Sequence, residues 1–158
     1  MFVFVLLAFV VLIGCDTAVS PGEPEVNQNL AKLTTLIRVP KGVTATRWLV
    51  RRFSPGSRLV PGPGDFSPTM VLAYLETAPN FWRDEGFMLS PGNSVERAFA
   101  LKEARAIFPA SLQRRGSTSA ESLRLNCVRL APEAFAPIEK MGEALRCGDG
   151  IVVSFKSP

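Results

Sequence analysis

Residues 121–130 read ESLRLNCVRL, and this stretch predicts a β-strand with one buried face. Leu123, Leu125 and Cys127 alternate with an arginine and an asparagine. Successive side chains of an extended chain point to opposite sides, so the apolar residues share one face and the polar residues share the other. We therefore expect this strand to lie in a sheet that covers a hydrophobic core.

Four further stretches predict strands, at residues 33–39, 43–53, 69–77 and 151–155. The first two are separated only by Pro40-Lys41-Gly42, a spacing compatible with a hairpin. The third, TMVLAYLET, has the composition of a buried strand.

Two helices are predicted among these strands. The first begins at Asn93, because Glu96 follows at the spacing of a capping box, and it ends before Pro109. The second has apolar residues three or four positions apart and stops at a Gly-Asp-Gly turn. Strands with a few helices predict an α+β fold, a small and mostly antiparallel sheet with about two helices packed on one face. The apolar residues of the second helix are Phe135, Ile138, Met141 and Leu145.

Length and composition restrict the classes of protein. The chain has 158 residues, of which 47% are hydrophobic and 20% charged, as expected for one folded domain. Histidine is absent. This excludes histidine-based catalytic triads and histidine-ligated zinc.

The chain begins with thirteen apolar residues, MFVFVLLAFVVLI, followed by Gly14 and Cys15. The run is shorter than the roughly 20 residues that span a bilayer and fits the apolar region of a secretory signal. Leu12-Ile13-Gly14-Cys15 at its end resembles the lipobox of bacterial lipoproteins. The resemblance covers about the first 16 residues and lacks the positive segment with which such signals normally begin.

The resemblance implies a cellular location and a membrane anchor. Residues 1–14 would be a signal peptide, Cys15 would be acylated and embedded in the bilayer, and the domain would face the periplasm of a bacterial envelope. Asp16 resembles the residue that favours inner-membrane retention, but the choice of membrane stays open. Residues 15–29 contain prolines and acids and predict a flexible tether. Residues 30–158 then form a single globular domain.

Cys127 and Cys147 remain as a pair if Cys15 carries lipid. Export places them in an oxidising compartment, which favours a disulfide between them; two buried free thiols are the alternative. Two thiols without histidine do not predict a metal site, and no cofactor is expected.

No sequence motif for catalysis is present. G-x-S-x-G, S-x-x-K and a Walker loop do not occur. We therefore expect a protein that is not an enzyme. A small hydrolase using carboxylates among Glu76, Asp84 and Glu85 is kept as an alternative.

Basic residues are concentrated between Val26 and Gly64, where there is no acid. Such a segment suits an anionic cell wall or membrane surface, a second alternative; nucleic acid is not expected outside the cytoplasm. Two of the arginines lie four apart and so share one face of a strand, whereas Arg52 points the other way. The seven basic residues are Lys32, Arg38, Lys41, Arg47, Arg51, Arg52 and Arg58.

Phe81, Trp82 and Arg83 follow a proline in what reads as an exposed loop over residues 80–86. Tryptophan and arginine are frequent anchors of protein interfaces, although the aromatic rings could instead fold into the core. The leading hypothesis is a non-enzymatic lipoprotein that binds another envelope protein as a complex subunit, an assembly factor or an inhibitor of the immunity type. Its oligomeric state is not predicted. The candidate partner surface comprises Arg47, Arg51, Arg52, Arg58, Phe81, Trp82 and Arg83.

Overall fold

The computed structural model describes residues 25–52, 69–84, 92–135 and 142–157. The strands are β1 (Val43–Arg52), β2 (Thr69–Thr77), β3 (Ser94–Ala100), β4 (Ser117–Thr118), β5 (Ser122–Leu130), β6 (Gly142–Cys147) and β7 (Gly150–Ser157). The helices are short: α1 (Leu30–Thr34), α2 (Phe81–Asp84), α3 (Leu101–Ile107) and α4 (Ala110–Gln113), with a 3₁₀ turn at Pro132–Ala134.

The seven strands form one sheet in the order β1-β2-β7-β6-β5-β3, and β4 also pairs with β5. Every pairing is antiparallel. The fold is therefore broadly α+β, as predicted, with an antiparallel sheet and few, short helices.

Both faces of the sheet are covered, which corrects the prediction that the helices pack on one face. One cluster, which we call the α1 face, includes Leu33 of α1 and Phe81 of α2. The other, the α3 face, includes Ile107 of α3 and Leu112 of α4. A strand covered on both sides is apolar at successive positions, and this explains the unbroken apolar run in β2.

Four of the predicted strands are confirmed with close boundaries: residues 43–53 as β1, 69–77 as β2, 121–130 as β5 and 151–155 within β7. In β5 the alternation also places the side chains as expected. Leu123, Leu125 and Cys127 are buried on the α3 face.

The strand predicted at residues 33–39 is wrong, and so is its hairpin with the next strand. The Asn29 side chain accepts a hydrogen bond from the Lys32 backbone N–H and starts α1. Leu33 and Ile37, four residues apart, then pack on the α1 face. β1 pairs with β2 instead, and on its other edge Trp48 exchanges both backbone hydrogen bonds with Asn27. The chain thus joins the sheet before residue 30.

The helix predicted from Asn93 is a strand over its first half and a helix over its second half. β3 pairs with β5 from Ser94 to Ala100, and the helix begins only at Leu101. Its end before Pro109 is confirmed, because α3 stops at Ile107.

The second predicted helix is also wrong where the structure describes it. Residues 142–147 form β6, which pairs with β7 and β5. Leu145 lies in this strand on the α3 face, whereas Ile138 and Met141 fall outside the described residues.

The predicted disulfide between Cys127 and Cys147 is confirmed, with an S–S distance of 2.08 Å. The cysteines come one residue beyond the Val128–Arg146 pair of β5 and β6, so the register sets them opposite each other, and their Cα atoms lie 4.5 Å apart. That is the spacing of directly opposed residues in an antiparallel pair without mutual backbone hydrogen bonds.

Candidate functional site

Residues 81–84 form the short helix α2 rather than the predicted exposed loop. Phe81 is buried on the α1 face, 2% exposed, and is therefore part of the core rather than of a surface. Its ring lies against Gly42, where a Cβ would come within 2.9 Å of the ring. Gly42 also has a φ of 84°, so both the turn and the ring require glycine at this position.

Trp82, the next residue, is half-buried and held by three contacts. Its indole Nε1 donates a hydrogen bond to the Asp149 carbonyl at 3.0 Å. The Arg146 guanidinium lies over the ring, 4.1 Å from its centroid. The Phe81 ring meets it edge-on at 5.0 Å. The indole is thus fixed in position, with an arginine stacked on it.

The turn between β6 and β7 connects this tryptophan to the other face of the sheet. Gly148 adopts a φ of 66° in the turn. The Asp149 carbonyl accepts a hydrogen bond from Thr77 Oγ1 at 2.5 Å in addition to the one from Trp82. The Asp149 carboxylate forms an ion pair of 3.5 Å with Arg115. The same residue therefore contacts α2 through its backbone and the α4 region through its side chain.

A cavity of about 250 Å³ opens beside this turn. Its polar lining includes Tyr74, Glu76, Arg115 and Asp149, and Leu112 and Cys147 contribute to its apolar part. We use the name turn-end surface for the residues on both sides of this turn: Tyr74, Glu76, Arg115 and Asp149 at the cavity, and the stacked pair Trp82 and Arg146 on the α1 face.

Tyr74 lines this cavity and is only 6% exposed, and no buried side-chain nitrogen or oxygen in the described part of the chain lacks a hydrogen-bond partner. The Tyr74 ring meets Phe108 edge-on at 5.9 Å. Burial raises the pKa of the Tyr74 hydroxyl above the ordinary 10.0, and the nearby Glu76 and Asp149 carboxylates raise it further. Arg47 and Arg115 act in the opposite direction and lower the pKa. The phenol is therefore protonated at neutral pH.

Two arginines of β1 are paired with carboxylates at different places on the sheet. Arg47 and Arg51 lie on the same face, as their spacing predicts, but Arg47 pairs with Glu76 at 3.8 Å and Arg51 pairs with Glu103. Arg47 is thus near the turn-end surface, while Arg51 lines a different cavity. The two side chains therefore do not form a single basic patch.

The predicted partner surface is therefore divided. Trp82 and Arg83 belong to α2, where Arg83 is exposed, whereas Phe81 is in the core. Arg52 ends β1, and nothing is described of its side chain. Cys15 and Arg58 lie outside the described residues.

The carboxylates singled out in the sequence are also separated. Glu76 lines the cavity, Asp84 is exposed on α2, and Glu85 is outside the described residues. The second carboxylate at the cavity is Asp149, which the sequence analysis interpreted only as part of a turn.

A second charged group, also missed, lies on the α3 face. Glu143 forms ion pairs with Arg97 at 2.9 Å and with Arg129 at 3.6 Å. Arg97 and Glu143 line a cavity of about 170 Å³ together with the Arg51–Glu103 pair. The acid and its two arginines come from β6, β3 and β5, so no local motif could indicate them. A larger open groove of about 800 Å³ runs between Val26 and α3.

Within residues 25–52, 69–84, 92–135 and 142–157, no three His, Cys, Asp or Glu side chains are grouped so as to hold a metal ion. None of the helices in these ranges is long and apolar enough to span a membrane. Comparison of the chain with protein-family models, with curated proteins and with solved structures gives no match.

Proposed function

We propose that this protein is a bacterial envelope lipoprotein whose domain binds another protein through the turn-end surface. Acylated Cys15 anchors it in the bilayer, and residues up to the start of the sheet tether the domain on the periplasmic side. The role is non-enzymatic, as a complex subunit, an assembly factor or an inhibitor. A disulfide in the domain is consistent with an oxidising compartment.

The observation that carries the binding role is the stack of Arg146 on Trp82. Tryptophan, tyrosine and arginine are the side chains that contribute most to protein interfaces. Here Trp82 and Arg146 stack on one side of the β6–β7 turn, while Tyr74 and Arg115 line the cavity on its other side, and contacts from Asp149 and Phe81 already fix the indole. An aromatic side chain that is ordered before binding loses little conformational entropy when a partner covers it.

Site-specific photo-crosslinking in intact cells tests the binding role. A photoreactive residue at Arg83, exposed beside Trp82, should give a discrete adduct that mass spectrometry identifies. The matched control is the same residue at Lys156, exposed near the far end of β7. The adduct should disappear in a Trp82→Ala, Arg146→Ala double variant. Adducts of equal yield at both positions, or none at either, would contradict the proposal.

The anchor is tested separately. Labelled palmitate should be incorporated into the wild-type protein and not into a Cys15→Ser variant. Mass spectrometry of the mature protein should find Cys15 as its first residue. A mature protein that begins at Met1 without label would remove the anchor and the compartment assigned from it.

A further inference from the structure

The two outer strands of the sheet differ in how their outer edges are covered. β1 is the outer strand on one side, and there Trp48 exchanges backbone hydrogen bonds with Asn27. β3 is the outer strand on the other side and pairs only with β5. No residue within the described ranges pairs with the opposite edge of β3, so that edge is open to another strand.

The register with β5 shows which backbone groups lie on the open edge. The Leu101 N–H donates to the Glu121 carbonyl directly opposite, so the odd-numbered residues of β3 face β5. The backbone groups of Glu96 and Ala98 therefore point away from β5, and the described part of the chain provides no hydrogen bond to them. Both residues are exposed, and β3 contains neither proline nor lysine, which commonly protect such edges.

Charge selects the register in which β3 can pair with its own copy. A symmetric antiparallel pair that involves most of the strand is centred on Glu96, Arg97 or Ala98. The first choice places two carboxylates directly opposite each other and the second places two guanidinium groups, and like charges in these positions are destabilising. Centring on Ala98 places two methyl groups opposite each other, and Glu96 then faces Ala100.

The same register brings apolar side chains together at the end of β3. The open groove of about 800 Å³ begins there, and Ala100 and Leu101 are part of its lining. Centring on Ala98 brings Val95 of a second copy opposite Leu101. Both are partly buried apolar residues that pack on the α3 face. The contact therefore covers apolar surface that a single copy leaves partly exposed.

We propose that β3 pairs with β3 of a second copy of this chain, so that the two sheets become one continuous antiparallel sheet. The two-fold axis passes through Ala98, whose N–H and C=O bond those of Ala98 in the second copy. The Ala100 N–H donates to the Glu96 carbonyl of the second copy. This contact uses no residue of the turn-end surface and is independent of the proposed function.

Cysteine cross-linking of the full chain in intact cells tests the register. Ala98→Cys should form an intermolecular disulfide on mild oxidation, seen as a band at twice the monomer mass on a non-reducing gel. The reason is that directly opposed Cα atoms lie about 5.5 Å apart, within reach of a disulfide. Glu96→Cys should cross-link several-fold less, because its two copies lie roughly 13 Å apart in this register. The wild-type chain gives the background from its own cysteines.

Mixed variants test the pairing itself. Co-expressed Glu96→Cys and Ala100→Cys chains should cross-link to each other more than either does alone. Ala98→Pro in both chains should abolish that cross-link, because proline removes the N–H that bonds the second copy and leaves the pairing with β5 intact. Ser94→Pro, on the same edge but outside the pair, is the matched control and should leave the cross-link unchanged. Circular dichroism should show the same fold in both proline variants.

The result that supports the inference is a cross-link that is strongest at Ala98 and lost with Ala98→Pro. Absence of any cross-link from β3 above the wild-type background would overturn it. Strongest cross-linking from Glu96→Cys or Arg97→Cys would contradict the register. A cross-link from Ala98→Cys to a different protein would show that another chain occupies the edge, and the pairing of two copies would then be wrong.

Discussion

Phe155 lies directly opposite Gly142 across the β6–β7 pair, and its ring occupies the space that a side chain at Gly142 would need. Phe155 is 1% exposed and cannot move outward without opening the α1 face. Gly142→Ala should therefore lower the free energy of unfolding by about 1–3 kcal/mol, because the added methyl overlaps the ring. Urea unfolding measures the loss.

A double-mutant cycle separates this overlap from the general effect of replacing a glycine. In a Phe155→Leu background the ring is gone, and Gly142→Ala should cost much less than in the wild type. Gly92→Ala, where the nearest atom is 3.2 Å away, is the milder control. An equal loss of unfolding free energy from Gly142→Ala in both backgrounds would contradict the proposed overlap with the Phe155 ring.

The disulfide should contribute measurably to stability. Cys127 and Cys147 are 20 residues apart, and closing a loop of that length stabilises by about 3 kcal/mol through the entropy of the unfolded chain. The Cys127→Ala, Cys147→Ala variant should unfold at a correspondingly lower urea concentration. Wild-type protein with dithiothreitol should approach the same midpoint. A midpoint unaffected by either treatment would show that the bridge contributes nothing.

Removal of the guanidinium from Trp82 should expose the indole. Arg146→Ala should shift the tryptophan emission to longer wavelength and increase quenching by acrylamide, with a loss of about 0.5–1 kcal/mol in stability. The Trp82→Phe variant shows which part of the emission comes from Trp82, because only Trp48, buried at 3% exposure, then emits. Identical quenching in the wild type and Arg146→Ala would mean that the stack does not shield Trp82.

Alkaline pH should destabilise the fold through Tyr74. Its pKa in the folded chain is raised above the ordinary 10.0, so the folded state keeps the proton longer than the unfolded state. This contribution to stability is complete below pH 10 and is lost as pH rises through the folded pKa, by at most about 1.4 kcal/mol per pH unit. Absorbance at 295 nm should give a higher midpoint in native protein than in urea. Tyr74→Phe should remove this part of the pH dependence.

The strands of the sheet were predictable because their residues alternate or form apolar runs bounded by turns. Residues 69–77 match β2 at both ends, and the alternation in β5 identified its buried face. These signals are local, and no distant part of the chain is needed to interpret them.

The helices were harder to predict because a spacing of four residues fits both kinds of structure. Val95 and Phe99 share a face in a helix, but they also share a face in a strand, where every second residue does. These residues form a strand because β3 pairs with β5 along its whole length. Conversely, the β-branched residues around Leu33 favoured a strand. The segment forms the helix α1 instead, because Asn29 caps it and Leu33 is buried.

The candidate site could be predicted only in part. Trp82 was singled out by residue type, but its partners Arg146 and Asp149 lie more than sixty residues away along the chain. Tyr74 looked like one more apolar residue of β2. The cavity that Tyr74 lines is completed by α4 and the β6–β7 turn, which are distant from β2 along the chain.

The strand order also sets when the fold can be completed. β7, which follows all other described strands in the chain, lies between β2 and β6, near the middle of the sheet. Without it the β1–β2 pair has no connection to β6, β5 and β3, so a nascent chain on the ribosome cannot acquire its full core before residue 157 is synthesised.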